Sequence, residues 1–268
     1  MKKGVQIWTG IFASIGMLFL IIDTRTALEG AKEGISLCTL TVIPALFPFI
    51  FLSSIICGSY LGRTSKLLKP LSRLCGIPYG AESILILGFL SGYPVGAQSI
   101  YQAYSARQLS KTDAQRMLGF CSNAGPAFIF GMLGPMFSSA MTPWIIWAIH
   151  IVSALIAGII LPRASSERIF LTPKKAPTVS VTLERAIHVT ANICGWVIVF
   201  RIIIQFIKHW FIYFIPIQFQ VGICGLLELT NGCVMISSTE PEGLRFIFAS
   251  CFLAMGGFCV MMQTRSVT

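Results

Sequence analysis

The sequence predicts an all-α polytopic membrane protein, built as a helical bundle of two repeat-like halves with broken or re-entrant hairpins. Hydrophobic residues make up 55% of the 268 residues and charged residues only 11%, whereas a soluble domain has about 25% charged residues. The mean hydropathy is +0.79. Apolar runs alternate with short basic segments, and their lengths predict about six full spans and a pair of broken hairpins.

The basic residues are placed as in the cytoplasmic loops of membrane proteins. The formal net charge is +10, but Lys and Arg lie in short segments between apolar runs, so nucleic acid is excluded as a partner. Lys2 and Lys3 precede the first apolar run, residues 5–22. This run is longer than the apolar region of a signal peptide and lacks a small-residue cleavage site. We expect a retained first helix, a cytoplasmic N-terminus and a location in the cell membrane.

Cysteine and histidine do not form a metal-binding pattern. The nine cysteines lie mostly inside apolar runs, and no Cys-x-x-Cys pair occurs. They are interpreted as small core residues and not as a zinc site or a disulfide framework. His150, His188 and His209 are isolated in the sequence. We therefore predict no metal and no cofactor.

The first part of the chain is predicted to cross the membrane and return. After the span at residues 5–22, residues 23–33 carry charges of both signs and are predicted to form a connector on the far side. A second span follows at residues 34–57, where Pro44 and Pro48 predict a kink.

An interrupted apolar run, residues 84–104, determines the predicted topology. The segment before it, residues 62–76, has no acidic residue and is placed in the cytoplasm by Arg63, Lys66, Lys69 and Arg73. Within the run, glycines and Pro94 are poor helix formers. A full crossing would place outside the three basic residues that follow, Arg107, Lys111 and Arg116. A re-entrant hairpin that turns at residues 91–96 keeps them inside, so we predict the hairpin.

The second part of the chain has similar interruptions. Further apolar runs lie at residues 117–136, 144–161, 189–206, 217–236 and 244–262. The fourth is interrupted at residues 228–232 and the fifth at Gly256-Gly257. We therefore divide the chain into an N-terminal membrane half (residues 1–161), a basic cytoplasmic linker (162–185) and a C-terminal membrane half (186–268). Paired interruptions at matching positions are typical of transporters built from repeats.

Four motifs in order resemble one protein family. They are Ser91-Gly92-Tyr93-Pro94-Val95-Gly96-Ala97, Cys121-Ser122-Asn123-Ala124-Gly125-Pro126-Ala127-Phe128-Ile129, Glu228-Leu229-Thr230-Asn231-Gly232, and Gly256-Gly257 with Gln263. The chain resembles YlbJ-type sporulation integral membrane proteins, of the wider nucleoside recognition (Gate-domain) family. The resemblance implies a bacterial membrane protein of a spore-forming Gram-positive organism and leaves the substrate open. It also implies more membrane sequence after the last motif, so we expect a short or truncated member with an incomplete C-terminal half.

The candidate substrate-binding residues surround the interruptions. They are Ser91, Gly92, Tyr93, Pro94, Gly96, Gln98, Asn123, Gly125, Glu228, Thr230 and Asn231. The Asn123 amide could bind a solute or could equally form a hydrogen bond between helices. Glu228 is expected to be buried, since an apolar segment resumes after it and a carboxylate in a membrane run is usually functional. The alternative is that residues 217–227 end at the interface and leave Glu228 exposed to water.

Arg201 is the second costly charge in an apolar run. We hypothesise that it pairs with Glu228, which would offset both charges. Glu228 could also couple transport to a proton or a sodium ion, and the sequence does not choose between them.

Two functions from different classes are consistent with these features. The first is a transporter-like protein for a small polar solute, nucleoside-like by resemblance only. The second is a non-transporting membrane component of spore envelope or cortex assembly. No Gly-x-Ser-x-Gly, His-Glu-x-x-His or phosphate-loop motif occurs, so an enzyme is not expected. The expected partners are the lipid bilayer, the solute and a coupling ion. The sequence leaves open whether the protein forms a homo-oligomer.

Overall fold

The computed structural model describes residues 3–60, 68–78, 80–162 and 177–267, which form helices and turns without a strand. In chain order the helices are α1 (Lys3–Ile22), α2 (Thr24–Leu37), α3 (Ile43–Tyr60), α4 (Lys69–Leu74), α5 (Glu82–Ser91), α6 (Val95–Ser105), α7 (Lys111–Cys121), α8 (Pro126–Phe128), α9 (Thr142–Ile160), α10 (Val179–Ile207), α11 (Ile217–Leu227), α12 (Leu229–Ile236), α13 (Glu242–Met255) and α14 (Gly257–Val267). The basic segments at residues 62–76 and 162–185 lie partly outside the described residues.

The predicted class, an all-α polytopic membrane protein, is confirmed. Within the described ranges, five helical segments are long and apolar enough to cross a membrane: Thr24–Ile56, Lys111–Met136, Thr142–Ile160, Val179–Ile212 and Glu242–Ser266. Large apolar side chains such as Leu40, Ile160 and Phe214 are 75–90% exposed on the outside of the bundle. A surface of this kind is suited to contact with lipid and not with water.

The α2 helix occupies the region that was predicted to be a connector. Residues 24–37 are helical and continue through a π-helical turn, Cys38–Val42, into α3. The connector prediction was wrong because the charges support a helix. The Asp23 carboxylate accepts the Thr26 backbone N–H at 3.1 Å as an N-cap, and hydrogen bonds from the side chain and backbone of Thr26 hold the pKa of Asp23 below its ordinary value. Arg25 and Glu29 form an exposed i,i+4 ion pair.

Two glycines allow α2 to pack closely against α10. A Cβ on Gly30 would lie 2.9 Å from the Ile202 Cα, and a Cβ on Gly34 would lie 3.0 Å from the Ile198 Cα. As α2 advances by four residues, the contact on α10 moves back by four, so the two helices are antiparallel. This is the Gly-x-x-x-Gly packing that brings helix backbones together in membranes.

The first predicted hairpin is present as α5 and α6. Gly92 has a φ of +75° at the turn, a conformation that favours glycine. A Cβ on Gly96 would lie 3.1 Å from the Gly88 Cα. In a continuous helix residues at this spacing would be about 12 Å apart. The chain therefore reverses at the interruption, and α6 returns along α5.

A second hairpin and two broken helices complete the arrangement. In the hairpin of α11 and α12, a Cβ on Gly232 would lie 2.2 Å from the Gly225 Cα. The first broken helix consists of α7 and α8, separated by non-helical residues 122–125. The second consists of α13 and α14, with positive φ at Gly256 and Gly257. A hairpin followed by a broken helix thus occurs twice along the chain, while a repeat relation between the two halves stays a prediction.

The two hairpins extend from opposite ends of the bundle. The guanidinium of Arg116, on α7, donates to the carbonyl of Gly158 at 2.5 Å, so α7 begins where α9 ends. Glu242, at the start of α13, accepts the Ser138 N–H at 2.8 Å near the start of α9. We call the end where α7 begins the basic face. By chain continuity the α5–α6 hairpin extends from the basic face and the α11–α12 hairpin from the opposite face.

We expect Gly30→Ala to lower the thermal stability of the purified protein. The added methyl group would press against the α10 backbone, and overpacking of this kind typically costs about 1–3 kcal/mol. Gly16→Ala is the matched control, because a Cβ at Gly16 would have no neighbour within 4 Å. Equal melting temperatures for the two variants in detergent would contradict this account of the α2–α10 contact.

Candidate functional site

The interruptions of both hairpins and of the first broken helix, together with α14, surround one small central cavity. It has a volume of about 30 Å³, which is room for a water molecule or an ion but not for an organic solute. It lies between α3, α10 and the interrupted segments. Its polar lining residues are Ser91, Tyr93, Glu228, Thr230 and Gln263. The structure therefore brings together polar residues that are up to 172 positions apart in the sequence.

Glu228 is buried, as expected from its position between apolar segments. It is 1% exposed, so the alternative of a water-exposed interfacial carboxylate was wrong. Its Oε1 accepts the Thr230 N–H at 2.9 Å, and its Oε2 accepts the Asn231 N–H at 2.6 Å. The carboxylate thus caps the first turn of α12, where a negative charge is favourable. These donors account for part of its acceptor capacity, and the side chain also lines the central cavity.

Arg201 reaches Glu228 only through Asn231. The guanidinium forms an ion pair with Glu33 on α2 at 2.5 Å and donates to the Asn231 side-chain oxygen. The Asn231 amide nitrogen then donates to Glu228 Oε2 at 2.7 Å. The hypothesis of a direct Arg201–Glu228 pair was therefore wrong. Arg201 does not pair directly with Glu228 because α2, which was predicted to be a connector, places the Glu33 carboxylate against the guanidinium.

A larger cavity of about 390 Å³ lies beside the central one. It is lined by α7, α9, α13, α14 and the interruptions between them. Asn123 is 6% exposed, and its side chain donates to the Phe120 carbonyl at 2.7 Å, at the end of the adjoining helix α7 and not to another helix. His150 lines the same cavity, and its Nε2 accepts the Ala124 N–H at 2.9 Å. The remaining polar lining residues are Tyr93, Ser122, Thr264 and Arg265.

Gln98 lies apart from the other candidate residues. It lines a third cavity of about 280 Å³ between α3, α6 and the start of α10, together with Ser99, Gln102 and Arg185. The prediction grouped Gln98 with Tyr93 because both flank the same interruption. Gln98 and Tyr93 line different cavities because Gln98 lies on α6. The face of α6 that carries Gln98 and Gln102, four residues apart, points away from the central cavity.

The glycines among the candidate residues mainly allow the interrupted segments to approach one another closely. A Cβ on Gly96 would lie 2.2 Å from the Cys121 carbonyl oxygen, and one on Gly92 would lie 2.5 Å from the Gly125 nitrogen. Pro94 is buried at the start of α6. Asn231 is fully buried and donates to Glu228, and it is not among the residues that line the three cavities described above. Gly92 and Gly125 line the central cavity.

Sequence reasoning missed two contributors to this site. Glu33 was assigned to a connector, although the spacing of Gly30 and Gly34 around it is a recognisable sign of close helix packing. His150 was interpreted as an isolated residue, and nothing in its sequence neighbourhood predicts its bond to Ala124. Within the described ranges, no cluster of three His, Cys, Asp or Glu side chains could hold a metal ion.

These features define a multi-pass α-helical membrane protein whose buried polar centre is built from interrupted helices. The chain is similar to the Sporulation integral membrane protein YlbJ of Bacillus subtilis (strain 168), with 26% identity over 92% of this chain and 72% of the relative. The resemblance to YlbJ-type sporulation integral membrane proteins is thereby confirmed. No family model matches the chain, and no solved structure matches it. The wider Gate-domain relation stays a prediction.

We expect substitutions at Arg201 and Asn231 to be energetically coupled. Arg201→Ala should lower stability by about 1–3 kcal/mol, because it leaves the buried side-chain oxygen of Asn231 unpaired. In the Arg201→Ala background, Asn231→Ala should lower the stability much less than it does in the wild-type protein. A double-mutant cycle measured by thermal unfolding would show this difference. Arg25→Ala is the control, because its ion pair with Glu29 is exposed and worth about 0–1 kcal/mol. Additive losses at Arg201 and Asn231 would contradict the network.

Proposed function

We propose that this protein is a membrane carrier for a small polar solute, and not an enzyme. One observation carries the proposal: two hairpins from opposite faces and two broken helices meet at buried polar residues inside an apolar bundle. Interrupted backbone is costly in a bilayer unless it lines a cavity or is satisfied by other protein. Discontinuous helices that converge near the middle of the membrane are the usual construction of a transport site.

The larger cavity is the proposed solute site. Its volume of about 390 Å³ lies in the usual range for organic ligands, about 300–1,000 Å³. Its described lining includes Arg265, His150 and Tyr93 but no carboxylate. Because the His150 Nε2 accepts a backbone N–H, the ring proton lies on Nδ1, which can donate. This lining favours solutes rich in acceptor atoms, such as nucleosides, bases and small carboxylates, over organic cations.

The central cavity is the proposed site of a coupling ion. Its volume of about 30 Å³ excludes an organic solute, and Glu228 is the carboxylate in its lining. A proton or a sodium ion would suit this position, and the proposal covers both. Uptake that depends neither on pH nor on sodium would count against coupling through Glu228.

We place the basic face of the bundle in the cytoplasm of a cell membrane, with the N-terminus on the same side. Lys111, Arg185 and Arg265 lie toward this face, and basic residues are enriched in cytoplasmic segments. Reporter fusions after Ser110 should therefore give a cytoplasmic signal, and fusions after Ser139 an external one. An external signal after Ser110 would overturn both this orientation and the re-entrant course of the α5–α6 hairpin.

We expect a solute of the proposed class to raise the melting temperature of the purified protein. Binding to the folded state stabilises it by mass action, about 2.7 kcal/mol at a concentration of 100 times Kd. The panel would contain nucleosides, bases, small carboxylates and, as a contrast, organic cations. Asn123→Ala should abolish the stabilisation, and Gln98→Ala, which changes a different cavity, should preserve it. If no compound of the panel raises the melting temperature of the folded protein, the result would contradict the proposed carrier function.

A role in spore envelope or cortex assembly is the second candidate, and the name of the Bacillus subtilis relative favours it. Complementation of a Bacillus subtilis strain that lacks the relative would separate the two functions. A carrier should fail with Glu228→Gln or Asn123→Ala. An assembly component should tolerate both and fail when the segment at residues 62–76 is replaced.

A further inference from the structure

The Tyr93 side chain lies between the two cavities of the candidate site. It lines both the larger cavity and the central one. Among the described lining residues, Val260 is the only other residue that lines both cavities. Asn123 and His150 line the larger cavity alone, whereas Ser91, Glu228 and Thr230 line the central cavity alone. An ion or a water molecule that passes from one cavity to the other must therefore pass the wall formed by Tyr93 and Val260.

The Tyr93 hydroxyl is buried and has no hydrogen-bond partner in the described part of the chain. Buried tyrosine hydroxyls usually have a partner, and an unpaired buried donor costs about 1–3 kcal/mol. Among the described protein groups, apolar packing against the core cluster that includes Phe128 and Leu229 holds the ring in its present position. A ring held in this way can rotate without breaking a hydrogen bond.

The backbone that carries the ring is, by contrast, fixed. The Tyr93 N–H donates to the Asn123 carbonyl at 2.7 Å. A Cβ on the preceding Gly92 would lie 2.5 Å from the Gly125 nitrogen, so the two interrupted segments are in tight contact. Motion at this point is therefore expected from the side chain and not from the hairpin tip.

We propose that Tyr93 is the gate between the solute cavity and the central cavity that contains Glu228. In the present state the ring closes the passage, and its rotation opens it. The proposal rests on the proposed function for its meaning in transport, but the partition itself is a property of the described side chains. Val260 forms the fixed side of the passage, since it is on α14 and shorter than the tyrosine.

The gate can be tested without knowing the solute. Ser91→Cys places a reporter thiol in the central cavity, and hydrogen peroxide, which is close to water in size, labels this thiol by oxidation after it enters through the larger cavity. Labelling is followed at the Ser91 peptide by mass spectrometry, so native cysteines need not be removed. Adding Tyr93→Ala should raise the labelling rate about tenfold or more, the effect of removing about 1.4 kcal/mol of barrier.

Two controls separate gating from general loosening. Leu118→Ala enlarges the larger cavity without touching the partition, and it should leave the rate unchanged. Tyr93→Phe keeps the ring and should also leave it nearly unchanged. Where Tyr93→Ala does not fold, Tyr93→Leu replaces it, with the same expected direction. An unchanged labelling rate in a folded Tyr93→Ala or Tyr93→Leu variant would overturn the proposed gate. An equal rise of the labelling rate with Leu118→Ala would also overturn it. A silent solute panel would instead oppose the carrier and leave this result standing.

Discussion

The structure depends on satisfying the backbone of interrupted helices inside an apolar bundle. Unpaired N–H and C=O groups in the hydrocarbon region each cost several kcal/mol. At the first interruption the Tyr93 N–H donates to the Asn123 carbonyl. At the second, Ala124 donates to His150, and at the third the Glu228 carboxylate accepts two backbone N–H groups. The polar residues of the site are therefore also the residues that make the interruptions stable.

Close approach is the second requirement, and glycine supplies it at matching positions in both hairpins. Gly88 and Gly96 face each other across the first hairpin, and both would collide with the Cys121 carbonyl if they carried a side chain. In the second hairpin Gly225 and Gly232 face each other, and a side chain on Gly225 would collide with the Phe252 ring. The hairpins can thus be thin enough to fit beside the broken helices, and at the first hairpin the backbone of the broken helix also accepts the Tyr93 N–H.

The interruptions were predictable because their cause is local. Glycine and proline near positions 91–96 and 256–257, and the polar residues at 228–232, lower helix stability wherever they occur. Glu228 was correctly expected to be buried from the apolar residues on either side. The partner of Arg201 was not predictable, because it depends on the packing of α2 against α10, and charges at residues 23–33 suggested a loop. The separation of Gln98 and Asn123 from Glu228 into different cavities likewise depends on helix rotation, which an interrupted run does not define.

The two hairpins are tied to the bundle with different strength. The second is held by a charged network, since Glu33 and Arg201 connect the α2–α10 pair to Asn231 and through it to Glu228. The first is held by neutral bonds, from the Ser91 hydroxyl to Ser53 on α3 and from the Tyr93 N–H to the Asn123 carbonyl. Hydrogen bonds to charged groups contribute about 1.5–3 kcal/mol and neutral ones about 0.5–1.5. The second hairpin is therefore tied more strongly than the first, but the backbone of the first is also fixed at its turn by the Tyr93–Asn123 bond, so the Tyr93 side chain is the part of the site that can change at the lowest cost.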